Sequence, residues 1–259
     1  MKTNILKLIL ISSLILSLFA GVRNKPPTAH AQEPARLAIV IDDFGEDRHG
    51  VAEMLEIDAP LTIAVMPFCE YSTSDAETAH ANGHEVILHM PMQNQSLTTP
   101  ANYYGPVLIK NEFTPAEAKE TLKKSIASIP HCKGVNIHMG TGVSQNESLM
   151  TAIMEEVKQQ GLYFLDSKTI ENSVCPQVAE RVGNKFYVRD VFLEPSGRPS
   201  YNTAVESLLQ AGELAKQTGK AIAIGHVGPV GDVQTAQAIK NTLETLKNMG
   251  ILVVPLSEL

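Results

Sequence analysis

From residue 36 onward, the chain alternates short runs of apolar, β-branched residues with longer segments of helical periodicity. This alternation is typical of βαβ units, in which helices connect and cover the strands of a parallel sheet. Most of the apolar runs contain almost no polar residue, so each predicted strand should be buried on both faces. The predicted strands are residues 37–41, 61–66, 85–89, 134–138, 162–166, 185–188, 221–225 and 251–255.

The segments between these strands carry helix boundary signals. Thr114 and Pro115 supply an N-cap followed by proline at the first helical position, and glycines stand where several helices should stop. The pattern predicts a single α/β domain folded as an irregular (β/α) barrel, and an open doubly wound sheet is the alternative. The predicted helices are residues 48–56, 74–82, 115–128, 146–160, 201–218 and 232–249.

The first 31 residues have the three-part layout of a secretory signal. Two lysines lie at its start, and an apolar run at residues 8–21 follows them. This run is shorter than the roughly 20 residues that span a membrane. Ala29-His30-Ala31 then fits the pattern of a signal peptidase site. We therefore predict a signal peptide at residues 1–31, a catalytic domain at residues 32–259, and export to the periplasm or the cell exterior. A retained membrane anchor is the alternative, because the polar stretch before the cleavage site is long.

The charge of the mature chain excludes several classes of partner. The predicted signal holds four of the 21 Lys and Arg residues and none of the 28 Asp and Glu residues. The mature chain thus has 17 basic and 28 acidic side chains, a formal charge of −11. Because such a surface should repel nucleic acid and anionic lipid, we expect no nucleic-acid partner and no stable membrane insertion after signal removal.

Polar side chains interrupt the apolar runs at the carboxyl ends of five predicted strands. Because the carboxyl ends of parallel strands meet at one rim, we expect these side chains to form one site. Each has a structural alternative, as a turn residue, a helix cap or a core histidine, but their coincidence on one rim favours function. The residues are Asp42, Asp43, His89, Asn136, His138, Asp166, Ser167 and His226.

The residue types at this rim suit a metal-dependent hydrolase. One carboxylate and two neutral imidazoles form a ligand set for zinc or a similar divalent ion that keeps a position open for water. One of the two adjacent acids, Asp42 and Asp43, would then be free to act as a general base. The sequence therefore predicts a divalent metal cofactor, with zinc as the expected ion.

Six segments, in order along almost the whole mature chain, resemble those of the divergent polysaccharide deacetylases. They are IDDFG at 41–45, GHEVILHMPM at 83–92, GVNIHMG at 134–140, FLDS at 164–167, RDVFL at 189–193 and AIGH at 223–226. The resemblance implies the irregular (β/α) barrel of carbohydrate esterases that remove N- or O-acetyl groups from sugars. The implied partner is a carbohydrate, either an acetylated sugar or a peptidoglycan fragment.

The resemblance also implies roles for individual residues in the hydrolysis of an acetyl amide or ester. The acid pair of the wider superfamily supplies a base, which would be Asp42, and a metal ligand, which would be Asp43. The segment Gly-His-Glu-x-x-x-His supplies a histidine ligand, His89. A late strand-end histidine, His226, would serve as general acid.

The chain departs from the family pattern at two positions. Ordinary members place a second histidine ligand four residues after the first, where this chain has Gln93, so we expect His138 as the third ligand. Ile137 stands where divergent members often have a second asparagine, so we expect the substrate pocket to differ.

The remaining rim residues are predicted to support the reacting groups. Asp166 is placed with the catalytic residues, which it would orient. Asn136, Ser167, Arg189 and Asp190 are expected to orient these groups or to contact the substrate. For Arg189 and Asp190, a structural ion pair is the alternative.

Two other functions compete with deacetylation. The first is a non-catalytic glycan-binding or envelope scaffolding protein, although the absence of Trp and an aromatic content of 5% leave few surfaces for stacking a long polysaccharide. The second is a metal hydrolase acting on another amide or a phosphoester. Phosphate sites usually carry clustered cations or two metals, whereas this rim offers Lys168 and Arg189.

Overall fold

The computed structural model describes residues 34–96 and 98–259, so the predicted signal peptide at residues 1–31 lies outside the described residues. The described chain contains one parallel sheet, and most of its strands fall where the apolar runs predict them. The strands are β1 Ala35–Phe44, β2 Thr62–Val65, β3 Glu85–Met92, β4 Cys132–Met139, β5 Tyr163–Asp166, β6 Phe186–Val188, β7 Val191–Phe192, β8 Lys220–His226 and β9 Ile251–Val253.

The sheet curls because its two edges belong to consecutive segments of the chain. The strand order is β6-β5-β4-β3-β2-β1-β8-β7, and β9 pairs with the start of β1. Only Arg189 and Asp190 separate β6 from β7, which lie at opposite ends of this order. Because so short a link joins the two edges, the sheet is bent into an irregular (β/α) barrel. This confirms the predicted fold class rather than the open doubly wound alternative.

Helices cover the outside of the barrel, and local chemistry explains where several of them begin. Thr114 and Glu117 form a reciprocal capping box at the first turn of α3, and Asn146 accepts a hydrogen bond from the Leu149 amide at the start of α4. None of the described helices is long and apolar enough to cross a membrane. The helices are α1 Val51–Leu55, α2 Ser72–Ala81, α3 Pro115–Ala127, α4 Glu147–Gln159, α5 Cys175–Val182, α6 Tyr201–Thr218 and α7 Gly228–Asn248.

Two elements are absent from the predicted set, and both are short. β7 has two residues and α5 has eight, which is too few for a period of 2 or 3.6 to be recognised in the sequence. The last helix also starts earlier than predicted, at Gly228, with a break at Asp232 where φ is 56°. The three cysteines, Cys69, Cys132 and Cys175, are all free thiols.

The barrel interior is a column of apolar side chains that ends in polar ones at the carboxyl rim. Side chains of a strand point to opposite faces in alternation, so the inward position after Val40 is Asp42, and the one after Ile224 is His226. In β3 the inward Ile87 is followed by His89. The fold therefore directs these three polar side chains towards one space. The interior cluster comprises Ala38, Val40, Ala64, Ile87, Tyr163, Leu165, Tyr187, Ile222, Ile224 and Leu256.

Candidate metal centre and active site

A β-bulge at the end of β1 turns two consecutive carboxylates towards the same space. The pairing of β1 with β2 shifts register between Ile41 and Phe44, and Asp43 has φ 71°. Asp42 Oδ1 lies 3.7 Å from His89 Nδ1, and Asp43 Oδ1 lies 3.3 Å from His89 Nε2. Adjacent residues of a regular strand would point to opposite faces, so the bulge is what brings both acids to the site. A non-glycine residue in this conformation costs on the order of 1–3 kcal/mol, which is typical of functional sites.

Asn136 fixes the orientation of both Asp42 and His89. It lies opposite His89 in the pairing of β3 with β4 and is fully buried. Its Nδ2 donates to Asp42 Oδ1 at 2.7 Å, so its Oδ1 is the atom that accepts from His89 Nδ1, also at 2.7 Å. The proton of the neutral His89 ring therefore sits on Nδ1, and Nε2 presents a lone pair to Asp43.

A backbone carbonyl fixes His138 in the complementary way. His138 Nε2 lies 2.7 Å from the Tyr103 carbonyl oxygen, which can only accept, so Nε2 carries the proton. Its Nδ1 then presents a lone pair, 3.1 Å from Asp43 Oδ1 and 3.0 Å from His89 Nε2. The contact between the Tyr103 carbonyl and His138 could not be predicted from the sequence, because any residue at that position has a carbonyl.

Three lone pairs thus converge, on Asp43 Oδ1, His89 Nε2 and His138 Nδ1. Such an arrangement is repulsive unless a cation or proton lies among them. Each imidazole directs its N–H to another partner, so its other nitrogen is free to bind a metal ion. One carboxylate and two imidazoles held in this way form the ligand set of a zinc-type site. The residues present fit a divalent ion, and they are the three that the sequence predicts as ligands. The structure therefore contains a possible metal site, while zinc itself stays a prediction.

The charges of the cluster also favour a cation. Burial acts to raise the pKa of Asp43, but the facing imidazoles of His138 and His89 hold that pKa well below its usual range. Burial acts to lower the pKa of His89, yet the carboxylates of Asp42 and Asp43 outweigh it and raise that pKa. Positive charge is thus stabilised on this side of the rim.

Asp42 differs from Asp43 in the direction of its pKa shift. Burial raises the pKa of Asp42, against the opposing charges of His89 and His226. A carboxylate with increased proton affinity is suited to accept a proton, whereas one held ionised is suited to bind a cation. The two neighbours are therefore electrostatically distinct.

His226 stands opposite Asp42 in the pairing of β8 with β1 and is held by a buried carboxylate. Its Nδ1 lies 2.9 Å from Glu194 Oε2, whose side chain is wholly buried, and the other Glu194 oxygen accepts from the Thr235 hydroxyl. Burial acts to lower the pKa of His226, but the hydrogen bond to Glu194 and the nearby carboxylates raise it to about 9. A histidine protonated at neutral pH can donate a proton.

Glu194 is the site residue that sequence reasoning missed. It lies one residue beyond the RDVFL segment and follows β7, which is too short to be predicted as a strand. The available signal was an acid directly after the apolar residues Val191, Phe192 and Leu193.

Ser167 and Arg189 stabilise the loops beside the site. Ser167 Oγ donates to the Ile137 carbonyl at 2.9 Å, which ties the end of β5 to β4. Arg189 Nε donates to the Ser167 carbonyl at 2.8 Å, and its guanidinium carbon lies 3.6 Å from the centre of the Phe192 ring. That ring in turn contacts the ring of His226. Arg189 therefore packs against the ring beside His226, and Ser167 joins two strand ends, while their role in orienting the reacting groups or contacting substrate stays a prediction.

The structure does not bring Asp166 or Asp190 into the cluster. Asp166 shares the outward face of β5 with Phe164, and its oxygens accept from Lys168 N and Ser173 Oγ, both at 2.8 Å. Asp190 is exposed and accepts from the Ile222 amide at 2.8 Å rather than pairing with Arg189. We therefore correct both placements: Asp166 organises the loop after β5, and Asp190 joins the link between β6 and β7 to β8.

Gln93 is engaged away from the three converging lone pairs. Its Oε1 accepts from the Asn111 amide at 2.8 Å, so the side chain supports the loop after β3. Gln93, which stands where ordinary deacetylases have their second histidine ligand, therefore has a structural role in this protein.

A parallel (β/α) barrel with an acid pair, a possible Asp-His-His metal site and a carboxylate-supported histidine at its carboxyl rim defines a polysaccharide deacetylase-like protein. The chain belongs to the divergent polysaccharide deacetylase family, whose profile matches residues 39–259. The resemblance seen in the sequence is thereby confirmed.

The chain is similar to two uncharacterized proteins. The uncharacterized protein YibQ of Escherichia coli K12 is 33% identical over 199 residues, which cover 75% of this chain and 59% of that relative's length. The crystal structure of uncharacterized protein ATU2773 from Agrobacterium tumefaciens C58 has a TM-score of 0.78 at 21% identity, over 88% of this chain and 90% of that one.

A second similar structure is that of a mutant of BA3943, a CE4 family pseudoenzyme of Bacillus anthracis with restored enzymatic activity. It has a TM-score of 0.52 at 17% identity, over 87% of this chain and 67% of that one. At this identity the likeness concerns the fold alone.

Proposed function

We propose that this protein is an exported, metal-dependent hydrolase that removes acetyl groups, from an amide or an ester, on a cell-envelope or other carbohydrate. The observation that carries the proposal is the convergence of three oriented lone pairs beside a buried carboxylate and a supported histidine. In a structural ion pair, each imidazole would direct an N–H group towards the carboxylate. Here both N–H groups are held by other partners, as they are in imidazoles that bind a metal.

Asp43, His89 and His138 would hold the ion, for which zinc is our choice. A divalent ion bound there supplies Lewis acidity towards the acetyl carbonyl and lowers the pKa of water. Asn136 and the Tyr103 carbonyl keep the two imidazoles in the required tautomers.

The residues beside the ligands handle the protons. Asp42 accepts the proton of the attacking water, and the Asn136 amide on Oδ1 holds the carboxylate in place for that transfer. His226, kept protonated by Glu194, donates a proton to the leaving nitrogen or oxygen. Asp42 and His226 occupy paired positions on neighbouring strands, so both would reach the same acetyl group.

The substrate we propose is an acetylated sugar or a peptidoglycan fragment in the periplasm or outside the cell. The family supports a carbohydrate, and the secretory layout of the first 31 residues supports the location. The strong acidity of the mature chain supports a partner other than nucleic acid.

A non-catalytic glycan-binding or scaffolding protein is the second candidate. The observation in its favour is Gln93, which stands where ordinary deacetylases place a metal-binding histidine and which contacts Asn111 instead. The first candidate hydrolyses its acetylated substrate, whereas the second binds a glycan without hydrolysing it.

Acetate release decides between them. Protein from the extracytoplasmic fraction should contain a divalent metal and release acetate from acetylated chito-oligosaccharides or peptidoglycan fragments. Asp42→Asn should retain metal and lose roughly 10²- to 10⁴-fold in turnover, since the amide is nearly isosteric but accepts no proton at neutral pH. Retained glycan binding with no acetate release from any acetylated substrate would favour the second candidate.

A further inference from the structure

The turn that follows His138 has an unusual backbone and needs an external support. Met139 has φ 62° and Gly140 has φ 75°, so two consecutive residues are left-handed directly after the predicted ligand. A non-glycine residue such as Met139 persists in that conformation where surrounding contacts hold it. The side chain of Asn94 supplies such contacts.

Asn94 uses both ends of its amide to hold this turn. Its Oδ1 accepts from Thr141 N at 3.1 Å and from Thr141 Oγ1 at 3.2 Å. Its Nδ2 lies 3.3 Å from Met139 Sδ. Asn94 therefore contacts the first and third residues after His138.

The same residue also holds the loop that carries the Tyr103 carbonyl. Asn94 Nδ2 donates to Thr99 Oγ1 at 3.2 Å, and the Asn94 backbone amide donates to the Tyr104 hydroxyl at 3.1 Å. Tyr104 is buried and lies next to Tyr103, whose carbonyl accepts from His138 Nε2. Asn94 thus contacts two segments next to His138: the turn that follows it in the chain and the loop that carries the Tyr103 carbonyl.

We propose that Asn94 is a positioning residue of the metal centre, which sets the direction of the His138 lone pair by joining that turn to the Tyr103 loop. The proposal rests on the metal site of the proposed function. It also accounts for the recruitment of a ligand from β4: the residue next to Gln93 provides the support that a histidine on a neighbouring strand needs.

The proposal requires an amide at position 94 rather than any polar group. Oδ1 accepts from Thr141 while Nδ2 donates to Thr99, so donor and acceptor act at once. An aspartate keeps the acceptor and loses the donor. Asn94→Asp should therefore preserve the contacts with Thr141 and weaken the side-chain contact with Thr99 in the Tyr103 loop, while the backbone bond to the Tyr104 hydroxyl remains.

Metal titration of the mature protein tests this role. Zn²⁺ and Co²⁺ affinities should fall about 10- to 100-fold in Asn94→Ala, the usual effect of removing a group that orients a ligand, and by less in Asn94→Asp. The visible absorption of bound Co²⁺ should also change in both variants, because it reports the coordination geometry that a general loss of stability would leave unchanged.

Asn146→Ala is the matched control. It is the same residue type, lies in the β4–α4 connection that Asn94 contacts at Thr141, and caps α4 by accepting from Leu149 N at 3.2 Å. It should lower the unfolding midpoint while leaving Co²⁺ affinity and spectrum unchanged.

Wild-type affinity and spectrum in both Asn94 variants, with binding lost in His138→Ala, would overturn the positioning role and leave the metal site standing. Wild-type binding in His138→Ala would instead overturn the ligand set and the positioning role together. If Asn94→Ala does not fold, Asn94→Asp carries the comparison, since it keeps the contact with Thr141.

Discussion

At the scale of single residues, the site depends on side chains that hold two neighbours at once. Asn136 donates to Asp42 and accepts from His89, so one buried amide sets a carboxylate and an imidazole together. Glu194 likewise bonds His226 and Thr235. Because burial makes an unpaired polar group costly, such bridging fixes orientation more firmly than exposed pairs would.

We predict that His138→Ala, His89→Ala and Asp43→Ala each weaken metal affinity severely, while Gln93→Ala changes it little. The first three variants remove converging lone pairs, whereas Gln93 contacts the Asn111 amide. Calorimetric titration with Zn²⁺ measures the four affinities. Full binding by His138→Ala, with loss in Gln93→Ala, would return the third ligand to the ordinary deacetylase position.

We predict that Glu194→Gln moves the basic limb of the pH–activity profile to lower pH. With Glu194 ionised, the pKa of His226 is raised to about 9, so the acid form persists above neutrality and activity falls as the pH rises through that pKa. Removing the charge lowers the pKa, so protonation is lost earlier. The measurements are acetate release against pH and NMR titration of the His226 ring. An unchanged limb would remove His226 from the acid role.

At the scale of elements, strand ends and the loops after them determine which side chains reach the site. The bulge in β1 adds Asp43 to the inward Asp42, and the loop after β3 adds the Tyr103 carbonyl. β5 has no comparable irregularity at its end, so alternation turns Asp166 outward beside Phe164. The same strand-end position therefore leads to a site residue in one element and a loop residue in another.

We predict that Asp166→Ala destabilises the protein without changing its metal affinity. The substitution leaves Lys168 N and Ser173 Oγ without their acceptor, which should cost about 1–3 kcal/mol. Urea unfolding of the metal-free protein gives the stability change, and Co²⁺ titration gives the affinity. A turnover loss of 100-fold or more at unchanged stability would restore Asp166 to the catalytic group.

At the scale of the whole molecule, the barrel is sealed at the end opposite the site. Glu85 Oε1 accepts from the Tyr163 hydroxyl at 2.7 Å, from Thr62 Oγ1 at 3.1 Å and from the Ser257 amide at 3.2 Å. Leu256 packs into the interior cluster beside it. These contacts close the end of the barrel opposite the site, and the polar side chains at the carboxyl rim lie above the apolar interior cluster.

We predict that export removes residues 1–31, because the apolar run is too short to span and small side chains precede Gln32. Amino-terminal sequencing of protein from the extracytoplasmic fraction should begin at Gln32. Recovery of a chain that still begins at Met1 would favour the retained anchor.

The sequence by itself determined the class of the fold and most of the rim. Apolar runs separated by helical segments specify a parallel sheet through local periodicity, and parallel strands bring their carboxyl ends together whatever the details of packing. For this reason the sequence predicts one site that contains Asp42, Asp43, His89, His138 and His226.

Only the tertiary structure decided which atoms these residues present to one another. The tautomers of His89 and His138 depend on Asn136 from a neighbouring strand and on a carbonyl at residue 103. The pKa of His226 depends on Glu194, which is 32 residues away in the sequence. Hydrogen bonds between distant segments leave no periodic signal in a chain, because they form through packing rather than through local propensity.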